Sequence, residues 1–267
     1  MKRIVIPIKQ VPETSNVKMD PETGTMIRKG LEAIINPLDL YAIEAGLQLK
    51  EAYGAQLTVV SMGPQNAEKA LREALALGCD DAVLLSDKGF RGADTWSTSY
   101  TISQAIRKIG TYDLIICGER ATDGETGQVG PGIAAFLELP LVTYVRKIFD
   151  VEENSTYLER LVEGGVEINH SELPLLITVV KEIANPRLPT LRGMIKAKKM
   201  SIPVWGPSEI EANPNFIGLK GSPTRVVKIT KPKIIRKGNV KIGRTTQELE
   251  EIADDLVQYM EEKKLFN

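Results

Sequence analysis

Residues 57–85, LTVVSMGPQNAEKALREALALGCDDAVLL, decide the fold. Leu57–Ser61 is an apolar run rich in β-branched residues, which suits a strand. Gly63-Pro64 breaks it. Ala67–Leu77 then follows a helical period, with Ala70, Leu71, Ala74 and Leu75 on one face and Gly78 as the stop. Ala82–Leu85 is a second apolar β-run. Strand, helix and strand follow one another with no hairpin turn between the strands, so the strands are expected to lie parallel.

The same rhythm extends outward. Ile4–Ile8 (IVIPI) and Asp113–Cys117 (DLIIC) are further β-runs. Asp39 is placed as the N-cap of a helix Leu40–Tyr53, with Ala42, Ile43, Gly46 and Leu47 inward and Gly54 at its end. Asp94 opens a helix that Gly110 closes. The expected class is α/β: a mostly parallel, Rossmann-like sheet with helices on both faces. After Pro140 the rhythm changes. Leu141–Val145, Thr156–Leu161 and Val166–Asn169 surround Glu163-Gly164-Gly165 and read as an antiparallel hairpin, and Leu173–Val180 as a further buried strand.

From Ala184 the chain reads as extended, punctuated by Pro186, Pro189, Pro203, Pro207, Pro214, Pro223 and Pro232. A stretch this long without periodicity suits an arm laid along a neighbouring surface. Thr245–Lys264 ends it as an amphipathic helix: Thr245 and Glu248 have capping-box spacing, and Leu249, Ile252, Ala253, Leu256 and Met260 form one stripe. Two parts are therefore expected, an α/β domain over 1–184 and an extended C-terminal arm over 185–267 that ends in the amphipathic helix.

Composition narrows the chemistry. With 267 residues, 42% hydrophobic and 26% charged, the chain can bury a full core without disulfides or structural metal. Two cysteines, Cys79 and Cys117, and one histidine, His170, exclude a four-thiolate iron–sulfur cluster and the usual zinc set. Cys117 ends an apolar run and reads as core; His170 reads as a surface strand residue. No nucleophile–base–orienter set stands out, so reactive atoms are expected from a cofactor. No apolar stretch reaches the roughly 18 residues of a membrane span. The five apolar residues after Met1-Lys2-Arg3 are too few for a signal core, and cytoplasm is the expected location.

Net charge is −1 but unevenly spread: −8 over residues 1–180, +12 over 181–244 and −5 over the last 23. The basic stretch has few aromatics for base stacking, which argues against nucleic acid and for a protein partner or an intramolecular role.

The strongest chemical signal is Gly118–Gly132, GERATDGETGQVGPG. It leaves the strand Asp113–Cys117 and enters a helical run, Ile133–Leu139. Gly124, Gly127, Gly130 and Gly132 allow positive φ and bring bare amides to a ligand. The helix start adds partial positive charge. Thr126 and Gln128 supply side-chain donors and Arg120 a bidentate one. Micromolar binding takes about 8 kcal/mol. Hydrogen bonds to charged groups give roughly 1.5–3 each, so about three to five must converge. The pattern is neither a P-loop nor Gly-x-Gly-x-x-Gly; a phosphate-binding loop and a structural glycine-rich turn both remain open. Ligands in open parallel sheets sit beyond the carboxyl ends of strands. Pro7-Ile8-Lys9 and Ser61-Met62-Gly63-Pro64 are such ends. Asn36-Pro37-Leu38-Asp39 is placed either to close the pocket over an adenine or ribose or merely to cap its helix. The candidate nucleotide-binding residues are Pro7, Lys9, Asn36, Asp39, Met62, Arg120, Asp123, Gly124, Glu125, Thr126, Gly127, Gln128, Val129 and Gly130.

Over essentially its whole length the chain resembles the β subunit of electron transfer flavoproteins. The carriers are Val5-Ile-Pro-Ile-Lys-Gln-Val-Pro12, Asn36-Pro-Leu-Asp39, Val60-Ser-Met-Gly-Pro64, the Asp123–Gln128 loop, Glu163-Gly-Gly165 with Leu173-Pro174, and Leu191-Arg-Gly-Met-Ile-Lys-Ala-Lys-Lys199. The resemblance implies an adenine-nucleotide-binding α/β domain, over 1–184, paired with an α subunit to which the C-terminal segment attaches. It also implies a docking loop for a flavin dehydrogenase, with Leu191 as apolar anchor and Arg192, Lys196, Lys198 and Lys199 beside it.

The loop Thr122–Pro131, the Leu191–Lys199 segment and Gly221-Ser-Pro-Thr-Arg225 look like the NADH-linked, electron-bifurcating type of that family. That type implies FAD in this subunit, a hydride from NADH, one electron to ferredoxin or flavodoxin, and the other through the α subunit to an acyl-CoA or related dehydrogenase. The alternative is the respiratory type, in which this subunit holds only AMP. Asn169, where an aliphatic residue is common in the family, departs from the pattern. A stand-alone ATP-binding hydrolase of similar fold is a third reading, disfavoured by the missing P-loop lysine and metal-binding carboxylate pair.

Overall fold

The computed structural model describes residues 1–13, 33–225, 238 and 240–265. Pro232 and most of the basic stretch after Arg225 lie outside them. The described chain forms two compact units, Met1–Arg225 and Val226–Asn267.

In the first unit β1 (Arg3–Pro7) leads to a small antiparallel ribbon of β2 (Gln10–Pro12) and β3 (Ala33–Ile35), which the sequence reading did not foresee. Then follow α1 (Pro37–Tyr53), β4 (Gln56–Met62), α2 (Glu68–Leu77), β5 (Asp81–Leu85), α3 (Thr95–Ile109), β6 (Leu114–Gly118) and α4 (Val129–Leu137). Next come β7 (Leu141–Val151), β8 (Ser155–Val162), β9 (Gly165–Glu172) and β10 (Leu175–Val179). The main sheet has nine strands in the order β11-β5-β4-β1-β6-β10-β7-β8-β9, where β11 is Val204–Trp205. From β11 to β7 every pairing is parallel; β7, β8 and β9 form an antiparallel meander.

Strand periodicity sorts the core onto the two faces. Ile4, Ile6, Leu57 and Val59 pack against Ile43 and Leu47 of α1 and Leu71 and Leu75 of α2. Val5, Val60, Ile115 and Leu176 face Ile102 and Ile106 of α3 and Ile133 of α4. Each such fully buried aliphatic side chain contributes roughly 1.5–3 kcal/mol of transfer free energy. Helices thus cover both faces of the parallel part, as its unbroken apolar strands require. The buried Cys117 belongs to the second of these clusters.

The meander turns at Gly164, φ 82°. Leu158 of β8 is buried, whereas most of β9 is exposed. His170 stacks on Tyr157 with ring centroids 4.3 Å apart. Asn169 stands opposite Leu158, and its Oδ1 is buried without a partner.

The stretch expected to be extended from Ala184 differs as far as Arg225. It carries α5 (Leu191–Lys199), the edge strand β11 and the short α6 (Gly218–Gly221), and it packs on the body. The prolines punctuate short elements, with Thr190 capping α5 by accepting the Gly193 N–H at 3.0 Å.

In the second unit α7 (Thr246–Glu262) has the expected capping box: Glu248 N–H donates to Thr245 Oγ1, and Thr245 N–H to Glu248 Oε2. Leu249 and Leu256 of its apolar stripe are exposed. No described helix is long and apolar enough to cross a membrane.

Candidate functional site

The strand order reverses direction at β1. The chain moves from β1 through α1 to β4 on one side, while β6 lies on the other. Open α/β sheets take ligands in the crevice at such a switch point, beyond the carboxyl ends of the strands, here those of β1 and β6. Buried Pro7 ends β1 and Gly118 ends β6.

Asn36 joins the two sides. Its N–H donates to the Lys9 carbonyl at 2.8 Å. Its side-chain amide donates to the Arg120 carbonyl at 2.9 Å, and its Oδ1 accepts the Thr122 N–H at 3.1 Å. It is fully buried and does not cap α1 with its side chain. The side chain instead clips the start of the Gly118–Gly132 loop to the exit of β1. Asp39, expected from sequence as the N-cap, lies inside the first turn of α1, three residues past the actual cap at Asn36. Its Oδ2 accepts the Lys9 N–H at 2.7 Å. Burial raises its pKa to about 7, against the opposing pull of the hydrogen bonds from Lys9 and Asn36. Gly118 is where α1 and β6 touch: a Cβ there would stand 2.4 Å from Asp39 Oδ1 and 2.8 Å from the Leu38 carbonyl.

Lys9 reaches across to Asp123 at 2.6 Å, and Arg120 pairs with the adjacent Glu119. Both basic side chains therefore already have anionic partners, so the loop's donors toward a ligand are its main-chain amides together with the Thr126 hydroxyl and the Gln128 side-chain NH2. Ala121 accepts from Glu125 N–H at 2.8 Å to form a tight turn. Glu125 (φ 53°) and Gly127 (φ 63°) then take left-handed conformations. Asp123, Gly124, Glu125 and Thr126 are exposed along this turn.

α4 starts at Val129, earlier than the Ile133 expected from sequence, so Gly130 and Gly132 are helical rather than turn residues. They serve packing: Cβ atoms would meet Thr178 Cγ2 at 2.8 Å and Ser99 Oγ at 2.4 Å. Gln128, at the cap position of α4, makes no side-chain cap. Its Oε1 instead accepts from Thr95 Oγ1 of α3 at 3.2 Å. By contrast, Asp94 caps α3 and Thr190 caps α5. The first amides of α4 thus lack a side-chain acceptor at the mouth of the crevice, an arrangement that suits an anion.

The sequence reading missed two residues near this end. Thr95 had no local signal, because only the tertiary fold brings it to Gln128. Ser61, near the end of β4, has a buried hydroxyl without a partner. An unsatisfied buried hydroxyl is costly, and it lies one residue before Met62, which is partly buried beside the second core cluster. The structure therefore gathers Pro7, Lys9, Asn36, Asp39, Arg120 and residues 123–130 around one crevice, with Met62 at the neighbouring strand end.

Leu191, Arg192, Lys196, Lys198 and Lys199 lie elsewhere, all on α5, which packs on α2. All five are exposed. Gly193 makes that packing close: a Cβ would stand 2.2 Å from the Ala76 carbonyl. Arg72 of α2 donates to the carbonyls of Ala197 at 2.7 Å and Met200 at 3.2 Å. Gly221–Arg225 docks at the start of α3, where Asp94 N–H donates to Ser222 Oγ and Asp94 Oδ2 accepts from Thr224 N–H at 2.9 Å.

Residues 23–210 match the family model described as electron transfer flavoprotein domain. The chain is 44% identical over 254 residues to the electron transfer flavoprotein subunit beta of Thermoanaerobacterium thermosaccharolyticum, covering 95% of this chain and 97% of the relative. It is 42% identical to the caffeyl-CoA reductase-Etf complex subunit CarD of Acetobacterium woodii, over 98% of this chain and 99% of the relative. Protein FixA of Azotobacter vinelandii is 44% identical over 86% of this chain and 84% of its own length.

Proposed function

Because the chain belongs to the electron transfer flavoprotein family, among its β subunits, we propose that its crevice holds FAD and that it works with an α subunit in NADH-linked electron bifurcation. The supporting observation is the uncapped N-terminus of α4 beneath a loop clipped over the switch-point crevice. The main-chain amides around Gly127 and Val129 hold the diphosphate. The exposed carboxylates of Asp123 and Glu125 accept from sugar hydroxyls. When bound, the flavin supplies the hydride and single-electron chemistry that no side-chain set in the chain offers. The protein binds it, orients it and shields one face from water.

The division of labour follows from the two surfaces. The exposed stripe of α7 suits the α subunit. The apolar and basic face of α5 suits an acyl-CoA or related flavin dehydrogenase, with ferredoxin or flavodoxin as the second acceptor. The relative CarD is named as part of a reductase–Etf complex, which supports an assembly of this kind.

The test is the nucleotide released on denaturing the purified αβ complex. Two FAD per dimer is the expected result. One FAD with one AMP overturns the bifurcating assignment in favour of the AMP-holding type.

A further inference from the structure

We propose that Arg187 is a positioning residue that presets the docking surface, by clamping the chain just before it onto α1. This rests on the reading of the Leu191 surface as the dehydrogenase-docking face.

The clamp is dense. The N–H of Arg187 donates to Glu44 Oε2 at 3.1 Å, its Nε to the same oxygen at 2.9 Å and its Nη2 to Oε1 at 2.9 Å. Its Nη1 donates to Glu51 Oε1 at 2.5 Å. The Glu44 side chain is only 6% exposed, so removing the guanidinium would strand a nearly buried carboxylate, which costs more than breaking a surface pair. Burial alone would raise the pKa of Glu44, yet the bonds and charge of Arg187 lower it overall.

Immediately beyond the clamp, Leu188 is 85% and Leu191 71% exposed, with Ile195 half-exposed on the same segment. These apolar side chains are held out by a scaffold fixed at both ends. Arg187 grips α1 upstream, and Gly193 with the Arg72–Ala197 contact grips α2 downstream. Leu188, Pro189, Thr190 and Leu191 therefore form a short span between two anchors. Ordering such a span in advance lowers the entropic cost of binding, whereas a free span would have to be ordered on each encounter. α1 also carries Asp39 at the crevice, and Glu51 lies about 18 Å further along the helix axis at 1.5 Å per residue. One helix thus sets the position of the docking leucines relative to the cofactor pocket.

The experiment uses the intact αβ complex as electron acceptor for a purified acyl-CoA dehydrogenase reduced with butyryl-CoA, alongside hydrogen exchange of the complex alone. Arg187→Ala should raise KM for the complex about tenfold with kcat and nucleotide content unchanged. Arg187→Lys, which keeps the charge but loses the fork, should fall between. The amides of residue 188 and residues 190–194 should exchange at least tenfold faster in Arg187→Ala, with those of the crevice loop unaffected. Unchanged KM in both Arg187 variants, while Leu191→Ala raises it, overturns the positioning role and leaves docking intact. Unchanged KM in Leu191→Ala overturns the docking reading itself. Should Arg187→Ala fail to assemble, Arg187→Lys decides: wild-type KM and exchange in it overturn the proposal. Unaltered exchange at 188 and 190–194 in both Arg187 variants overturns it whichever dehydrogenase is used.

Discussion

The Lys9 ammonium and the Asp123 carboxylate meet at 2.6 Å, tying the exit of β1 to the loop that follows β6. Both side chains are partly exposed, so the pair itself adds no more than about 1 kcal/mol to stability. Its importance lies in what it spans. With Asn36 clipping Arg120 and Thr122, it is the second tie holding the loop over the crevice.

Lys9→Met should therefore leave the melting temperature within a few degrees of wild type but weaken nucleotide retention about tenfold, or about 1.4 kcal/mol. Dialysis of the purified complex followed by nucleotide quantification measures it. Equal retention in the variant would show that the loop is held by Asn36 alone.

Gly127 and Gly124 separate two reasons for a glycine. Gly127 has φ 63°, and a Cβ there would meet only the Glu119 carbonyl, at an ordinary 3.5 Å. The constraint is backbone conformation, since a β-branched residue at that φ is strained by roughly 1–3 kcal/mol. Gly124 has no such φ and no neighbour within 4 Å of a Cβ. Gly127→Val should lose most bound nucleotide while Gly124→Ala retains it. Full nucleotide content in Gly127→Val would remove the loop from the binding site.

Much of the layout was legible because strand and helix periods differ and glycine marks the ends. Ala70, Leu71, Ala74 and Leu75 announce a helix face before any partner is known, and the structure buries all four. The loop after β6 was legible as an exposed turn because its glycine-rich, polar composition has no place in a core. What was illegible is tertiary. Nothing local tells Asn36 to reach Arg120 rather than cap its own helix, or Thr95 to meet Gln128. Gly130 and Gly132 read as turn glycines because sequence shows a missing side chain but not the Thr178 and Ser99 atoms that would collide with one. Past Ala184 the prolines hid α5, whose anchoring depends on α2 and α1 more than on its own period.

Asp39 makes the stability pH-dependent with a defined sign. Its folded pKa, about 7, lies above its ordinary value of 3.8. Between those values the folded chain binds more protons than the unfolded one, so stability falls as pH rises through that window. The full difference corresponds to at most roughly 4 kcal/mol. Asp39→Asn keeps an acceptor for the Lys9 N–H and should flatten this slope, gaining stability at pH 8 relative to wild type. Urea titrations of the complex at pH 5, 6.5 and 8 measure it. Identical slopes in the two proteins would show that Asp39 is ionised throughout.

Gly118→Ala tests whether the contact of α1 with the end of β6 is a packing requirement or a ligand requirement. The added methyl would stand 2.4 Å from Asp39 Oδ1, which a side-chain rotation relieves, but also 2.8 Å from the carbonyl carbon and oxygen of Leu38, which belong to the helix backbone. Relief then requires α1 to move away from β6. That movement strains the Asn36 clip and the Lys9–Asp39 bond together, because both join the start of α1 to neighbouring chain. Overpacking of this kind costs typically 1–3 kcal/mol, so a drop in denaturant midpoint is expected even in protein stripped of nucleotide. Loss of nucleotide with an unchanged midpoint in the stripped protein would mean that the bare Cα of Gly118 faces the ligand, not the helix.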